Sequence, residues 1–265
     1  MPVSVISRKT PVRLVCHVEM GTESGPPALQ RNHILNALAP AARAPLLAQM
    51  TLVVHELKDV LFEAQEPIDA VHFPLDCVIS LVTPFESGAI VEVATVGNEG
   101  VVGVPLVHGG SLAVRGIALV PGRSLRMEAR AFLTAFEQAG PFNALVCDYT
   151  QALFSQISQA VACNRLHSDE ERLSRWLVMI QDRVGADQFI VADEFLGRMM
   201  GSRPAAITLF AGVLQEAGLI RYAGGRVTIL DRERLEEVSC ECYGAIEGKL
   251  GGALTGAEGH SQRGR

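Results

Sequence analysis

The stretch Arg198–Ile220, RMMGSRPAAITLFAGVLQEAGLI, predicts a sharp turn between two helices. Gly201 can adopt a left-handed backbone and end the first helix. Ser202 is a good N-cap for the second helix, and Pro204 is tolerated in a first turn because its missing N–H needs no partner there. The stretch therefore favours two helices joined by a tight turn over one helix broken in the middle.

The residues that follow complete a recognisable order of elements. Residues 218–230, GLIRYAGGRVTIL, contain two short strands, and Ala223-Gly224-Gly225 between them is a hairpin signal. A helix, a turn, a longer helix and a hairpin form a winged helix-turn-helix, whose second helix enters the major groove of DNA. This order favours DNA binding over an ordinary helical hairpin in a hydrophobic core.

Local charge supports the same interpretation. The formal net charge of the 265 residues is −6, so any affinity for nucleic acid has to come from a local patch. Five basic and two acidic residues lie between Leu196 and Arg232. Arg221 and Arg226 flank the hairpin tip, where phosphate contacts are useful. The predicted DNA-binding residues are Ser202, Arg203, Ala205, Ala206, Thr208, Arg221, Gly225 and Arg226.

Two helices are predicted upstream of this region. Residues 168–185, SDEERLSRWLVMIQDRVG, open with the capping box Ser168 and Glu171 and end at Gly185. In residues 141–167, apolar side chains advance by steps of three and four, the spacing of a coiled-coil seam. This stripe predicts a dimerisation helix, and packing of the helix on its own domain is the alternative. The predicted seam consists of Phe142, Val146, Tyr149, Leu153, Ile157 and Ala160.

Between residues 51 and 128 the apolar pattern has a period of two. Segments such as TLVVHEL, AIVEVATVG and RSLRME alternate apolar with polar or small residues, and turn signals such as Pro121-Gly122 separate them. Many short strands at this spacing predict a compact antiparallel sandwich or roll. Two short helices around Pro40 precede it. The predicted fold class is α+β, with an antiparallel β-roll, a long helix and a winged helix-turn-helix.

Composition excludes several other classes of protein. The sequence contains no run of about eighteen apolar residues that could span a bilayer, and no secretory signal is visible. We therefore expect a cytoplasmic protein without membrane association. Its six scattered cysteines are expected to be reduced thiols. Met20 could be the natural start, because nothing before it looks necessary.

The order of elements resembles the Crp/Fnr family of bacterial transcription regulators. The likeness covers roughly residues 32–242 and is densest in residues 162–185 and 194–237. It implies a regulator, not an enzyme. It also implies a homodimer that reads a palindromic site in double-stranded DNA, with half-sites about 34 Å apart, and RNA polymerase as a further partner. The expected parts are a flexible arm (1–28), a cyclic-nucleotide-binding-like β-roll sensor (29–140), a dimerisation helix (141–166), the winged helix-turn-helix domain (167–247) and a disordered tail (248–265).

The recognition helix departs from the family pattern. Well-studied members carry an Arg and a Glu near its start and a further Arg one turn later. In the comparable stretch here, residues 202–209, only Arg203 can make a bidentate contact to guanine, with Ser202 and Thr208 as lesser candidates. The familiar operator of the family is therefore not expected.

The sensor part lacks the residues with which members of the family bind cyclic nucleotides, a Gly-Glu pair for the ribose and an Arg for the phosphate. Val104 follows Gly103, Leu112 or Ala113 stands where the Arg should be, and strand alternation places Arg115 on the wrong face. Because a buried phosphate without a cation is costly, we expect no tight binding of cyclic nucleotides. The effector is not identified, and Asn98-Glu99 fits a β-turn better than a ligand site.

No cofactor and no metal site are predicted. The tight N-terminal cysteine group of iron–sulfur members is missing, and single histidines are usually core or surface residues. Cys163 stands four residues before His167, and Cys240 and Cys242 are separated by one residue. These residues could bind a metal or sense oxidants, but their spacing is not the usual zinc pattern. They remain redox candidates.

Two alternative functions are left open. A small metal-dependent, cupin-like β-barrel enzyme needs two or three histidines and a carboxylate inside the barrel. His55, Glu56, His72 and Asp76 are the candidates, but their spacing matches no known pattern. A regulator that acts through protein contacts alone is the other alternative.

Overall fold

Two four-stranded antiparallel sheets form the N-terminal part of the chain. The computed structural model describes residues 13–14, 31–104, 113–191, 197 and 204–255. The sheets have the strand orders β1-β2-β8-β4 and β3-β7-β5-β6. The strands are β1 (Arg13–Leu14), β2 (Met50–His55), β3 (Val60–Phe62), β4 (Ala70–Pro74), β5 (Val78–Pro84), β6 (Ile90–Val96), β7 (Arg115–Val120) and β8 (Gly122–Glu128).

The first strand corrects one prediction. β1 pairs antiparallel with β2, with Arg13 opposite Val54 and Leu14 opposite Val53. Residues 1–28 were expected to form a flexible arm, and these two residues instead extend the sheet. The rest of that arm lies outside the described residues.

Two short helices close one end of the roll, as the sequence predicted around Pro40. They are α1 (His33–Ala37) and α2 (Pro40–Leu47). Asn32 caps α1 by accepting a hydrogen bond from Leu35 N, and its Nδ2 donates to Pro74 O at 3.1 Å and Gly100 O at 2.8 Å. One buried amide therefore ties the helix to two loops of the roll.

Three helices follow the roll: α3 (Ala129–Glu137), α4 (Pro141–Leu166) and α5 (Asp169–Val184). The predicted capping box of α5 is confirmed, because Ser168 Oγ accepts from Glu171 N and Glu171 Oε2 accepts from Ser168 N. Gly185 ends α5 in a left-handed conformation (φ 68°), as expected for a C-terminal glycine. Local sequence chemistry thus sets both ends of this helix.

The C-terminal part is a small α/β unit. A three-stranded antiparallel sheet has the order β10-β11-β9, and helices precede and follow its strands along the chain. The elements are β9 (Gln188–Ile190), α6 (Pro204–Glu216), β10 (Ile220–Ala223), β11 (Arg226–Ile229), α7 (Arg232–Glu237) and α8 (Cys242–Thr255). The α+β fold class is confirmed.

Helix α5 joins the roll and the C-terminal unit through one hydrophobic core. Its side chains Leu173, Trp176 and Leu177 are almost fully buried. They share a cluster with roll residues such as Leu119 and with residues of the C-terminal unit such as Leu214. The domain boundary expected near residue 167 divides the chain, but one hydrophobic core includes residues from both sides of it.

The last helix contradicts the prediction of a disordered tail from Gly248. α8 continues to Thr255, and Ile246 and Leu250 are only 2% and 3% exposed. Both belong to the same core as α4 and the roll. Packing of these apolar side chains outweighs the low helix propensity of the glycines. Residues 256–265 lie outside the described part.

None of the described helices has a stretch long and apolar enough to cross a membrane.

Candidate nucleic-acid interface

The β10–β11 hairpin is built as the sequence predicted. Gly224 (φ 57°) and Gly225 (φ 74°) connect the strands with two left-handed residues, the conformation of a type I′ turn that glycine favours. Arg221 pairs with Thr228, and Ala223 pairs with Arg226. Because strand side chains alternate, these four residues share one face, and both arginines are exposed on it.

The opposite face of the hairpin holds it on the core. Ile220, Val227 and Ile229 are buried, and Val191 N donates to Gly225 O at 2.8 Å. Gly225, a predicted DNA-binding residue, is buried. Its left-handed conformation shapes the turn of the hairpin. A rigid hairpin thus presents two guanidinium groups to solvent.

Helix α6 lies beside this hairpin and begins at Pro204, as expected for proline in a first turn. Ala211 and Leu214 face the core and are 3% and 4% exposed. Leu209 is 65% and Val213 is 46% exposed. Leu209 and Val213 therefore lie on the outer face of α6.

The residues predicted to contact bases are only partly among those that the structure describes. Ala205, Ala206 and Thr208 belong to the first two turns of α6 by their backbone. Ser202 and Arg203 lie outside the described residues, as do the residues of the helix expected before the turn, apart from Gly197.

One basic residue counted in the local charge has another role. Arg232 binds Asp182 of α5 through Nη1 and donates from Nη2 to Tyr243 Oη at 2.7 Å. Its charge is compensated inside the protein. Of the five basic residues counted between Leu196 and Arg232, Arg221 and Arg226 are the ones described as exposed.

The predicted seam of α4 faces the core of its own chain. Phe142, Val146 and Tyr149 are 6%, 0% and 1% exposed, and they pack in the core of the roll. Leu153 and Ile157 are half-buried against the same core, and Ala160 is half-buried. The prediction that these residues form the seam between subunits is therefore wrong for the first three, which have no free surface. The alternative, packing on the chain's own domain, describes them correctly.

A different face of α4 is exposed. Phe154 and Val161 are 70% and 69% exposed. Cys147, seven residues before Phe154, and Ser158, four residues after Phe154 and three before Val161, are exposed on the same side of the helix. We call the residues Cys147, Phe154, Ser158 and Val161 the outer stripe of α4. The sequence did not reveal the outer stripe because its polar residues interrupt the apolar period along the helix.

Comparison with protein families identifies the C-terminal unit. Residues 171–238 match the family model of the Crp-like helix-turn-helix domain. They form a Crp-like helix-turn-helix domain. The match spans α5, the three-stranded sheet, α6 and α7, which is the unit whose hairpin exposes Arg221 and Arg226. No curated protein sequence matches the chain.

Solved structures extend the similarity to the whole fold. FixK2 from Bradyrhizobium japonicum has a TM-score of 0.62 at 13% identity, over 72% of this chain and 98% of its own. TTHB099, a CRP-family transcriptional regulator from Thermus thermophilus, has 0.57 at 18% identity, over 70% and 95%. CLP, the c-di-GMP-responsive global regulator of Xanthomonas campestris, has 0.56 at 13%, over 72% and 99%. The roll, the long helix and the Crp-like domain are therefore arranged as in the Crp/Fnr fold, which confirms the resemblance.

The roll places apolar or paired side chains where a cyclic nucleotide would need polar partners. Val104 is 4% exposed in the hydrophobic core, and Arg115 Nε donates to Glu63 Oε2 at 2.6 Å. Asn98 and Glu99 lie in the predicted turn, since Gly100 N donates to Gly97 O at 3.1 Å. Ala113 is exposed, and Leu112 lies outside the described residues. The absence of cyclic nucleotide binding stays a prediction.

The residues considered for a metal enzyme do not form a four-ligand site. His55 and His72 both contact Ser124 Oγ, at 2.7 and 3.2 Å. Burial lowers the pKa of His55 to about 4, so its imidazole is neutral at pH 7. Asp76 instead accepts two hydrogen bonds from the guanidinium of Arg123, and Glu56 is exposed. Within the described ranges, these residues are not among the groups whose ligand atoms converge.

Proposed function

We propose that this chain is a transcription regulator of Crp/Fnr type that binds a palindromic DNA site as a homodimer. The observation that carries the proposal is the type I′ hairpin of the Crp-like domain, which exposes Arg221 and Arg226 on one face beside α6. Two cations on a rigid hairpin are suited to phosphate contacts, which position a helix in the adjacent major groove.

We assign recognition of the DNA sequence to the start of α6. Arg203 is the one residue in residues 202–209 that can bind guanine in a bidentate manner, with Ser202 and Thr208 as further base contacts. Ala205 and Ala206 are small enough to allow close approach of the helix backbone to DNA. The positions of Leu209 and Val213 on the exposed side of α6 are consistent with a helix whose outer face is available to a groove.

The outer stripe of α4 is assigned to the subunit interface. Phe154 and Val161 lie seven residues apart and are two of the three large apolar side chains of α4 that are exposed in the single chain; the third, Leu166, is the last residue of the helix. A two-fold axis beside them would pair the same stripe of both subunits, as a coiled coil requires. This placement replaces the seam that was expected from the sequence.

We also propose a role for the roll, a partner protein and a compartment. The roll is a sensor that does not bind cyclic AMP, because Val104 is apolar and Arg115 is paired with Glu63. RNA polymerase is a partner at the promoter, and the cytoplasm is the compartment in which the chain meets DNA. The protein is not an enzyme.

Selection from random double-stranded DNA tests the proposal. The full-length protein should enrich a palindrome with half-sites about one helical turn apart, and the selection is run with and without cell extract in case an effector is needed. Failure to enrich any sequence under both conditions would favour a regulator that acts by protein contacts. Arg203→Ala should relax the preference at one base pair of each half-site. An equal loss on specific and random DNA would reduce Arg203 to a phosphate contact.

A further inference from the structure

Four potential metal ligands converge where the end of α4 meets the start of α8. Cys163 lies in the last turn of α4, His167 is its C-cap, and Cys240 and Cys242 stand just before and at the start of α8. Their Sγ and imidazole nitrogen atoms all lie within 4.8 Å of one another. Such a group of three thiols and one imidazole is the ligand set of a structural zinc site.

The distances between the ligand atoms fit a single tetrahedral ion. Zn–S bonds of about 2.3 Å and Zn–N bonds of about 2.0–2.1 Å at tetrahedral angles separate the ligand atoms by about 3.5–3.8 Å. Cys163 Sγ and Cys240 Sγ are 3.5 Å apart, and Cys242 Sγ and His167 Nδ1 are also 3.5 Å apart. An iron–sulfur cluster distributes its four protein ligands over two or more iron atoms, so some of the ligand atoms would lie farther apart than the 4.8 Å that encloses all of them here.

We propose that Cys163, His167, Cys240 and Cys242 bind one zinc ion that fastens α8 to the end of α4. Nδ1 of His167 is the coordinating nitrogen, because it is the ring atom that faces Cys242. The three thiols lose their protons on binding, so zinc uptake releases protons. With four protein ligands the ion has no open position, which makes the site structural and not catalytic.

The three cysteine side chains are buried, and one of them accepts a hydrogen bond. Cys163, Cys240 and Cys242 are 0%, 3% and 1% exposed. Gln159 Nε2 donates to Cys242 Sγ at 3.0 Å, which suits a thiolate. Glu241 Oε1 lies 3.9 Å from His167 Nε2, on the side of the ring opposite the cluster. This distance exceeds that of a hydrogen bond, and the Glu241 side chain is largely exposed.

A zinc ion at this position would connect the two chain segments that flank the Crp-like domain. Cys240 and Cys242 lie beyond the Crp-like domain match, which ends at residue 238. His167 lies at the junction between α4 and α5. The ion would therefore connect the segment after the Crp-like domain to the junction before it, and its loss would release the start of α8 and loosen that junction.

Cobalt(II) binding to the metal-free full-length protein tests the site without DNA. Cobalt in a tetrahedral thiolate site gives intense visible absorption and a thiolate-to-cobalt charge-transfer band, and zinc should displace it stoichiometrically. Elemental analysis of the purified protein should find about one zinc per chain. Weak octahedral-type cobalt spectra, or iron and sulfide in place of zinc, would overturn the proposal.

Variants distinguish the cluster from other cysteines. Cys240→Ser should abolish the charge-transfer band, whereas Cys147→Ser, which alters the exposed cysteine of the outer stripe, should leave cobalt binding unchanged. His167→Cys keeps four ligands and should still bind cobalt, with a stronger charge-transfer band, which guards against a folding defect in Cys240→Ser. Wild-type-like cobalt spectra of Cys240→Ser, or loss of binding in Cys147→Ser, would show that the four residues do not form the site.

Discussion

Arg183 Nε donates to Glu99 Oε1 at 2.8 Å, and the two side chains are 3% and 8% exposed. Arg183 lies in the last turn of α5, and Glu99 lies in the turn after β6. Gly97 permits this approach, because a Cβ at that position would lie 2.5 Å from the Cβ of Arg183. A buried ion pair therefore connects the roll to the first helix of the Crp-like domain.

Removing one member of this pair should strongly destabilise the protein. Arg183→Leu leaves Glu99 as a buried charge without its partner, and we expect a loss of about 3–5 kcal/mol in the free energy of unfolding, measured in urea. The double variant Glu99→Leu/Arg183→Leu should be less destabilised than the single one. Arg234→Leu is the matched control: its pair with Asp231 is exposed and 4.0 Å long, so the change should be below about 1 kcal/mol. Equal effects of Arg183→Leu and Arg234→Leu would contradict this prediction.

Stability should depend on pH through Glu92. Its carboxylate accepts hydrogen bonds from Ser80 Oγ at 2.6 Å and Trp176 Nε1 at 3.0 Å, and burial raises its pKa to about 7 from an ordinary value of 4.5. The folded state therefore retains a proton that the unfolded state has lost between pH 4.5 and about 7. Raising the pH across this window should remove about 1–3 kcal/mol from the contribution of Glu92 to stability. The buried His55, whose pKa is lowered to about 4, changes stability in the opposite direction over the same window.

Glu92→Gln isolates this contribution because glutamine does not titrate. Urea unfolding of both proteins across the same pH window should show the wild type losing stability relative to the variant as the pH rises. Curves that stay parallel across the window would show that Glu92 does not titrate there.

The outer stripe of α4 should control the oligomeric state. Phe154→Glu should raise the dimer dissociation constant by about 100-fold or more, because burial of each Phe contributes about 1.5–3 kcal/mol and a two-fold interface contains it twice. Phe85→Glu is the control, since Phe85 is 53% exposed but lies in the turn after β5, away from α4. Sedimentation equilibrium measures both. A dimer that withstands Phe154→Glu would place the interface elsewhere.

The hairpin arginines should act on DNA affinity without changing sequence preference. Arg221→Ala and Arg226→Ala should each weaken binding to specific and random DNA alike and reduce the slope of log affinity against log salt by about 1. Fluorescence anisotropy across a salt series gives this slope. Arg43→Ala, on α2 of the roll, should leave it unchanged. A change of preferred sequence in either hairpin variant would instead indicate base contacts.

Much of the fold could be predicted because its signals are local. The capping box Ser168 and Glu171 and the left-handed glycines of the hairpin depend on residues a few positions apart. Both were predicted from the sequence and are present in the structure. For the same reason the Crp-like domain could be expected before any comparison was made.

The parts that could not be predicted depend on residues far apart in the chain. The stripe of Phe142, Val146 and Tyr149 has the period of a coiled coil, yet a helix that packs on its own roll shows the same period. The period gives the buried face of a helix but not the identity of its partner. Gly248 and its neighbours appeared disordered because the core that holds Leu250 is built from residues elsewhere in the chain.

The sequence alone determined the order of helices, strands and turns, because capping, glycine conformation and side-chain alternation act over a few residues. Only the tertiary structure decided which face of α4 remains open and that Cys163 meets Cys240, 77 residues away. Contacts of this kind arise when helices pack, and packing depends on the combined shape and burial of distant segments.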